Sequence, residues 1–340
     1  MRAPAHQGTG SDRLRTIWRS RSLAAWALLP VAALYGALSG LQRKLYQWGW
    51  KKAQHPGVPV IVIGNVIAGG AGKTPVTLAT VAHLQARGFT PGIISRGYGR
   101  NADDCREATA QSLPQDVGDE PLLMARTSGV PVFVARQRIA AARALLAAYP
   151  ATNVLVCDDG LQHHALARDV QVCVFNSEGI GNGWLLPAGP LREPWPRPVT
   201  AVLHAAPQPP QGTPASTPSF LLQRQLAPFA VRSNGTRVAL SDLQGQALHA
   251  LAAIARPEEF FAMLRAMPLN VVSTEGLPDH YNFESWQRPS DEHLLVVCTE
   301  KDAAKIWQTM PQALAVPLHL QVDHGYFDLL DAQPCLSSPH

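Results

Sequence analysis

Apolar and polar positions along the 340-residue chain fall into short alternating blocks. Compact apolar runs recur at residues 60–63, 92–95, 131–134, 154–157 and 170–175, each bounded by Gly, Pro, Asn or Asp. Runs of this length and composition predict strands buried on both faces. Between them lie helical patterns: one after Thr74 ending near Gly88, one opened by Asp119-Glu120-Pro121, and one rich in Arg, Ala and Leu ending at Tyr149. A second alternation starts near residue 247, with strands at 249–254, 269–273 and 294–299 and a helix over 257–267. Thr299-Glu300-Lys301-Asp302 opens a further helix, with Thr as N-cap and acids in the first turn. Strand–helix alternation predicts a doubly wound parallel sheet in both parts.

Three stretches break the pattern. Residues 101–118 are a polar excursion, 179–197 are dense in Gly, Pro and Trp, and 206–218 are Pro-rich and read as a solvated linker or hairpin tip. The chain therefore divides into an N-terminal segment (1–52), a core (53–205), a linker or hairpin (206–246) and a smaller α/β domain (247–330).

The N-terminal segment differs in kind. Residues 23–41 carry no formal charge, and Arg19 and Arg21 precede them while Arg43, Lys44, Lys51 and Lys52 follow. A run of nineteen could just span a bilayer. It contains Pro30, Gly36, Ser39 and Gly40, however, and is basic on both sides, where a spanning helix shows its positive bias on one. The pattern predicts a broken amphipathic helix lying in a membrane surface, with Trp18, Trp26, Tyr46, Trp48 and Trp50 near the headgroups.

Charge sharpens this picture. The net charge is +4, yet residues 1–52 hold nine Lys/Arg against one acid, so the remainder is net acidic. A basic excess at one end points to an anionic membrane surface, and no RNA- or DNA-binding motif appears. Five cysteines without pairing or metal-ligand spacing predict free thiols in a reducing compartment. No obligate protein partner is evident.

Candidate chemistry begins at the end of the first strand. Gly64, Gly69, Gly70 and Gly72 precede Lys73 and Thr74, and a helix follows. Strand, glycine-rich loop and helix is the setting of a phosphate-binding loop, in which backbone N–H groups cradle phosphates at a helix N-terminus. Residues Ile67, Ala68, Gly69, Gly70, Ala71, Gly72, Lys73 and Thr74 are the predicted nucleotide contacts, with Lys73 on the β- and γ-phosphates and the Thr74 hydroxyl on Mg²⁺. Ile67 stands where the G-x-x-x-x-G-K-[ST] pattern has Gly. The strand at 154–157 runs into Asp158-Asp159-Gly160, and acids at a strand's C-terminal edge suit Mg²⁺. Arg96 and Tyr98 stand in a Gly-rich loop beside the phosphate loop, and Arg192 and Glu193 in a rigid loop that forms a site wall. From the residues alone, Asp119 and Glu120 read as helix caps.

Several of these stretches together resemble the tetraacyldisaccharide 4′-kinase family of lipid A biosynthesis, over roughly residues 23–325. The carriers are Gly69-Gly70-Ala71-Gly72-Lys73-Thr74-Pro75, Ser95-Arg96-Gly97-Tyr98-Gly99, Gly118-Asp119-Glu120-Pro121, Asp158-Asp159-Gly160-Leu161-Gln162-His163, Gly181-Asn182-Gly183, Leu186-Pro187-Ala188-Gly189-Pro190-Leu191-Arg192-Glu193-Pro194, Ile254-Ala255-Arg256-Pro257, Asp279-His280 and Thr299-Glu300-Lys301-Asp302-Ala303. Departures are Asn176 for a usual Asp, Ala253 for a usual Gly, and a poor match over 206–240. The family's loop also usually lacks Gly at 67.

The resemblance implies a P-loop NTPase-like doubly wound parallel sheet with a second, smaller α/β domain and a membrane-associated helix. It implies transfer of the ATP γ-phosphate to the 4′-hydroxyl of a tetraacyldisaccharide 1-phosphate, giving lipid IVA, at the cytoplasmic face of the Gram-negative inner membrane. ATP and Mg²⁺ are the implied cofactors. Asp119 becomes the base, working with His280, and Lys73 completes the catalytic set. Thr74 with Asp158 or Asp159 holds the metal. Arg96, Tyr98, Glu120, Arg138, His163, Arg192, Glu193 and Asp279 surround the substrate and phosphates. The competing class is a membrane-bound switch ATPase, which needs no second domain contributing a histidine.

Overall fold

The computed structural model describes residues 14, 16–254, 256–279, 281–283, 286 and 293–338. Strands β1 (Val60–Gly64), β2 (Pro91–Ser95), β3 (Arg106–Ala108), β4 (Val132–Val134), β5 (Val154–Asp158), β6 (Val170–Phe175), β7 (Ala201–His204) and β8 (Ser219–Leu226) enter one sheet in chain order. Strands β9 (Phe229–Val231), β10 (Arg237–Ala239), β11 (Ala247–Ala252), β12 (Asn270–Gly276), β13 (Leu295–Thr299) and β14 (Leu314–Val316) build a second sheet, and β15 (Leu318–Val322) returns to the first. The orders are β15-β8-β7-β6-β1-β5-β2-β4-β3 and β10-β9-β14-β13-β11-β12.

Every pairing from β8 through β4 is parallel, and only the edge strands β15 and β3 run antiparallel. Strand β1 lies near the middle with all five residues buried, which is why its sequence is an unbroken apolar run. From β1 the chain moves to β2 and β4 on one side, returns to β5 beside β1, then continues to β6 on the other side. A reversal of this kind opens a crevice at the strands' C-terminal ends. The second sheet is parallel from β12 to β14, β9 pairs antiparallel with β14, and β10 pairs antiparallel with β9 at the edge.

From residue 23 onward the α-helices among the described residues are α1 (Leu23–Ala27), α2 (Leu29–Gln47), α3 (Lys73–Ala86), α4 (Pro114–Val117), α5 (Asp119–Thr127), α6 (Arg138–Ala148), α7 (Pro257–Arg265), α8 (Glu300–Thr309) and α9 (His324–Asp331). Helix α9 packs on the first sheet and on α3. Its Tyr326 is fully buried with its hydroxyl 2.8 Å from Thr80 Oγ1, and Asp331 meets His83 at 2.8 Å. The C-terminal segment thus braces the helix that Lys73 opens.

The structure departs from the sequence reading between 206 and 246. These residues, read as a linker or hairpin, carry β8 in the first sheet and the antiparallel hairpin β9–β10 in the second, so the stretch joins both sheets. The segment after 318 likewise belongs to the first sheet instead of the smaller unit. All five cysteines are free thiols.

The N-terminal helices rest on the loop of residues 180–192. Trp18 Nε1 donates to the Pro187 carbonyl at 2.9 Å, the Tyr35 hydroxyl to the Arg192 carbonyl at 2.7 Å, and Trp26 meets Trp184 edge-on at 5.1 Å. The helix packs closely on this loop at Gly36, where a Cβ would approach the tip of the Leu185 side chain to 2.7 Å. The opposite side of α2 is bare: Val31, Leu34, Leu38 and Leu41, spaced three and four apart, are each more than half exposed. No helix among the described residues is long and apolar enough to cross a membrane.

Candidate active site

The loop of residues 65–72 connects β1 to α3 and closes on its surroundings at both ends. Asn65 is fully buried and its Nδ2 donates to the Gly69 carbonyl at 3.3 Å. Asn176, at the end of β6, donates through Nδ2 to the Gly70 carbonyl at 3.3 Å. Gly72 sits at φ 83°, ψ 30° and turns the chain into α3, a left-handed conformation that favours glycine. Two of the predicted contacts are committed elsewhere. The Ala68 N–H donates to Pro190 O at 2.7 Å, and Ile67 is buried in a bridge to Leu191, so this part of the loop is anchored to the site wall.

Gly64 is held close to the turn after β5. A Cβ there would meet Leu161 Cγ at 2.7 Å and the Leu161 backbone nitrogen at 3.1 Å. Gly64→Ala should therefore destabilise the fold by about 1–3 kcal/mol through overpacking. Chemical denaturation read by circular dichroism measures it.

Strands β1 and β5 are neighbours, with Ile63 opposite Asp158. This register delivers the acids of β5 to the loop. The Lys73 ammonium lies 3.6 Å from Asp159 Oδ1, and Arg192 Nη1 lies 3.4 Å from both Asp159 oxygens. Arg138 is buried and donates to the Asp159 carbonyl at 3.0 Å. Asp159 has φ 51°, unusual for a residue with a side chain, and three cations surround it. Burial raises its carboxyl, but Lys73, Arg192 and Arg138 outweigh that and hold it below the usual carboxylate range.

Asp158 is the opposite case. It is fully buried, its Oδ1 accepts the Thr77 hydroxyl at 3.1 Å, and its Oδ2 has no partner. Burial first, then the negative charge of Glu120, pushes its carboxyl up to about 7 against the pull of Lys73. A buried carboxylate with an unmatched oxygen is one that a divalent cation would suit. Among the described residues no cluster of three His, Cys, Asp or Glu side chains forms a ready metal cage. Mg²⁺ is usually held by one or two carboxylates with phosphates and waters, so Asp158 with buried Thr74 fits its habit.

His163 is neutral at pH 7: burial and the charges of Arg138 and Arg168 push it down to about 4. Its Nε2 lies 3.3 Å from the Arg138 backbone nitrogen, an acceptor role that requires the unprotonated ring. Glu193, expected at the substrate wall, points inward. It is buried and accepts from Gln162 Nε2 at 2.8 Å and Arg197 Nη1 at 2.6 Å, so it braces the wall from behind.

Across the crevice stands α5. Gly118 at φ 93° precedes it, where a Cβ would meet the Tyr98 carbonyl at 2.9 Å, so the loop of Arg96 and Tyr98 supports the start of this helix. Tyr98 itself is 70% exposed. Asp119 is nearly buried, and Lys305 on α8 donates to its Oδ2 at 2.9 Å. Lys301, one turn earlier, lies 3.6 Å from both Glu120 and Asp279. Glu120 is thus felt both by Asp158 and by Lys301, which ties the acids at the β5 end to those of α5. His280 lies outside the described residues.

The structure therefore gathers Lys73, Asp158, Asp159, Arg138, His163 and Arg192 at the ends of β1 and β5, with Asp119, Glu120 and Asp279 across α5 and α8. Sequence reasoning missed Thr77, Arg197, Lys301 and Lys305 as contributors. Thr77 is four residues past Lys73 and Lys305 four past Lys301, so helical spacing carried a signal for both pairs.

Comparison with known proteins gives the chain's family. The family model described as tetraacyldisaccharide-1-P 4′-kinase matches residues 24–334. A tetraacyldisaccharide 4′-kinase of Acidovorax sp. (strain JS42) is 61% identical over 333 residues, covering 98% of this chain and 97% of that protein. One of Polaromonas naphthalenivorans (strain CJ2) is 48% identical, covering 92% of each. The crystal structure of an "apo" form LpxK from Aquifex aeolicus in complex with ATP superposes with a TM-score of 0.78 at 25% identity, covering 91% of this chain and 98% of that one. On the family match and these identities, the chain belongs to the tetraacyldisaccharide-1-P 4′-kinase family.

Proposed function

We propose that this chain binds ATP on the loop of residues 69–74 and transfers its γ-phosphate to the 4′-hydroxyl of a tetraacyldisaccharide 1-phosphate, with Asp119 as the base. The observation that carries this reading is the convergence of an ammonium, Lys73, and an unmatched buried carboxylate, Asp158, at one strand end, opposite a second carboxylate, Asp119, across α5. In this P-loop NTPase-like arrangement, the N–H groups at the start of α3 and the Lys73 ammonium bind phosphate oxygens. Arg192 and Arg138 add positive charge beside the same strand end. Thr74 and Asp158 would hold Mg²⁺, which neutralises charge on the phosphates, and Asp159 keeps Lys73 and Arg192 oriented.

Asp119 takes the proton of the 4′-hydroxyl as the new O–P bond forms and the bond from the γ-phosphorus to the β,γ-bridging oxygen breaks, leaving ADP. Catalysis of this kind rests on positioning and charge, with the base contributing by holding the nucleophile in line. His280 would partner Asp119. Phosphate located on the 4′-oxygen of the product by NMR would support the assignment; phosphate at another hydroxyl would refute it.

The membrane reading has its own support. The bare stripe of Val31, Leu34, Leu38 and Leu41, with Trp48 and Trp50 beyond it, is of the kind that inserts into the headgroup–acyl boundary, while Lys44, Lys51 and Lys52 meet anionic lipid. Because Tyr35 on the same helix holds the Arg192 carbonyl, the lipid-bound helix would sit directly on the active-site wall, where the acyl chains of the substrate would lie. Placed on anionic lipid, this surface would work at the cytoplasmic face of the inner membrane. Leu34→Asp with Leu38→Asp removes two buried leucines' worth of transfer energy, about 3–6 kcal/mol, so affinity for anionic vesicles should fall more than ~100-fold. Vesicle co-sedimentation measures it, and unchanged binding would reject the stripe as the membrane face.

A further inference from the structure

Helix α8 is fixed firmly to the second sheet. Thr299 caps it, and the buried Asp302 accepts both the Thr299 hydroxyl at 2.7 Å and the Ala253 N–H at 2.9 Å. From this anchored helix Lys301 and Lys305, one turn apart, reach across to α5 of the first sheet. The two groups in the Lys305–Asp119 pair are only 14% and 10% exposed, so water screens their attraction weakly. Lys305 also donates to the Tyr281 carbonyl at 3.2 Å, one residue past His280.

We propose that Lys305 is a positioning residue for the transfer reaction: from the second sheet it holds the Asp119 carboxylate in place through its 2.9 Å contact, and it holds the Tyr281 carbonyl with the same ammonium. The idea rests on Asp119 being the base. A cation in contact with a carboxylate favours its charged form, so the base stays ready to accept the hydroxyl proton at neutral pH. It also fixes the carboxylate's rotamer, which a single lysine on a rigid helix does better than solvent. Because the pair bridges the two sheets, the base is complete only when the second sheet is docked on the first.

Several charged groups surround Asp119. Lys305 and Lys301 come from α8, Glu120 from its own helix, and Asp279 from the segment after β12. Of these, Lys305 makes the 2.9 Å contact, so its removal should move the titration that governs the rate.

The test measures kcat and the KM for ATP against pH for the full-length protein and for Lys305→Met and Lys305→Arg, with Asp119→Asn run alongside. For Lys305→Met the expected result is a fall in kcat of about tenfold or more, a KM for ATP within about twofold, and an acid limb of the kcat profile moved up by about one pH unit. Lys305→Arg should recover much of both. Equal losses at all pH values with the limb unmoved, or no rescue by arginine, would reduce Lys305 to a structural strut and overturn the proposal. An unchanged kcat and profile would overturn it too. If Asp119→Asn instead keeps near-normal activity and its acid limb, the base assignment itself fails, an outcome separate from the Lys305 result. Thermal melts of each variant separate misfolding from these effects.

Discussion

Asp119→Asn is expected to lower kcat by about 10²–10⁴-fold, the range for removing a general base, with the KM for ATP nearly unchanged. The split follows from position. Asp119 opens α5 behind Gly118 and is held by Lys305, while the loop that meets ATP in the proposed reading leads into α3. The amide keeps the size of the carboxylate and can still meet Lys305 through its carbonyl oxygen, so the fold should survive. What it loses is the charge and the capacity to take a proton. Steady-state kinetics in mixed micelles with both substrates varied would read the effect, and a loss confined to KM would contradict the assignment.

Lys73→Met should lower kcat/KM for ATP by about 10²–10³-fold, comparable to removing one preorganised donor to developing charge. Methionine keeps the length of the stem, which matters because the Lys73 side chain is only 10% exposed. It removes the ammonium that reaches toward the β5 end. Asp159 would keep Arg192 and the Arg138 guanidinium beside it, so it is not left as an uncompensated charge and the melting temperature should change by only a few degrees. Titration of a fluorescent ATP analogue separates lost binding from lost turnover. Binding and turnover both within twofold of the parent protein would remove Lys73 from the phosphate site.

Much of the first sheet was legible because its central strands are covered on both faces. Val60, Ile61, Val62 and Ile63 are fully buried and read as one apolar run, the same holds for Val154 to Cys157 of β5, and β6 is interrupted only by the half-buried Gln171. Strands β8 and β15 escaped for the complementary reason. They form an antiparallel edge pair whose sequences, Ser219–Leu226 and Leu318–Val322, mix Leu with Gln and Arg or His. Their partnership joins residues almost a hundred positions apart, which no local pattern announces. The Pro-rich run before β8 then made the whole stretch look like a linker or hairpin, which β9 and β10 form but β8 does not.

The site shows the same division. Loop, Lys73 and the acids of β5 were legible because a strand end followed by glycines or acids has few structural uses. Asp119 was ambiguous by itself, since an acid in a first helical turn is satisfied by the helix dipole alone. Glu193 looked like a site residue because it sits beside Arg192, yet its side chain turns inward to Arg197 and Gln162. The contact between Lys305 and Asp119 spans 186 positions. Helical spacing says that Lys301 and Lys305 share a face, but not what that face meets.

The most direct measurement of the central claim follows ³²P from γ-labelled ATP in micelles containing tetraacyldisaccharide 1-phosphate, and asks how the label divides between lipid and free phosphate. A 4′-kinase with Asp119 as its base puts label in the lipid with the parent protein and almost none with Asp119→Asn. Label released as free phosphate, with none in the lipid, would contradict it and favour an ATPase that uses the same loop to drive a change of shape.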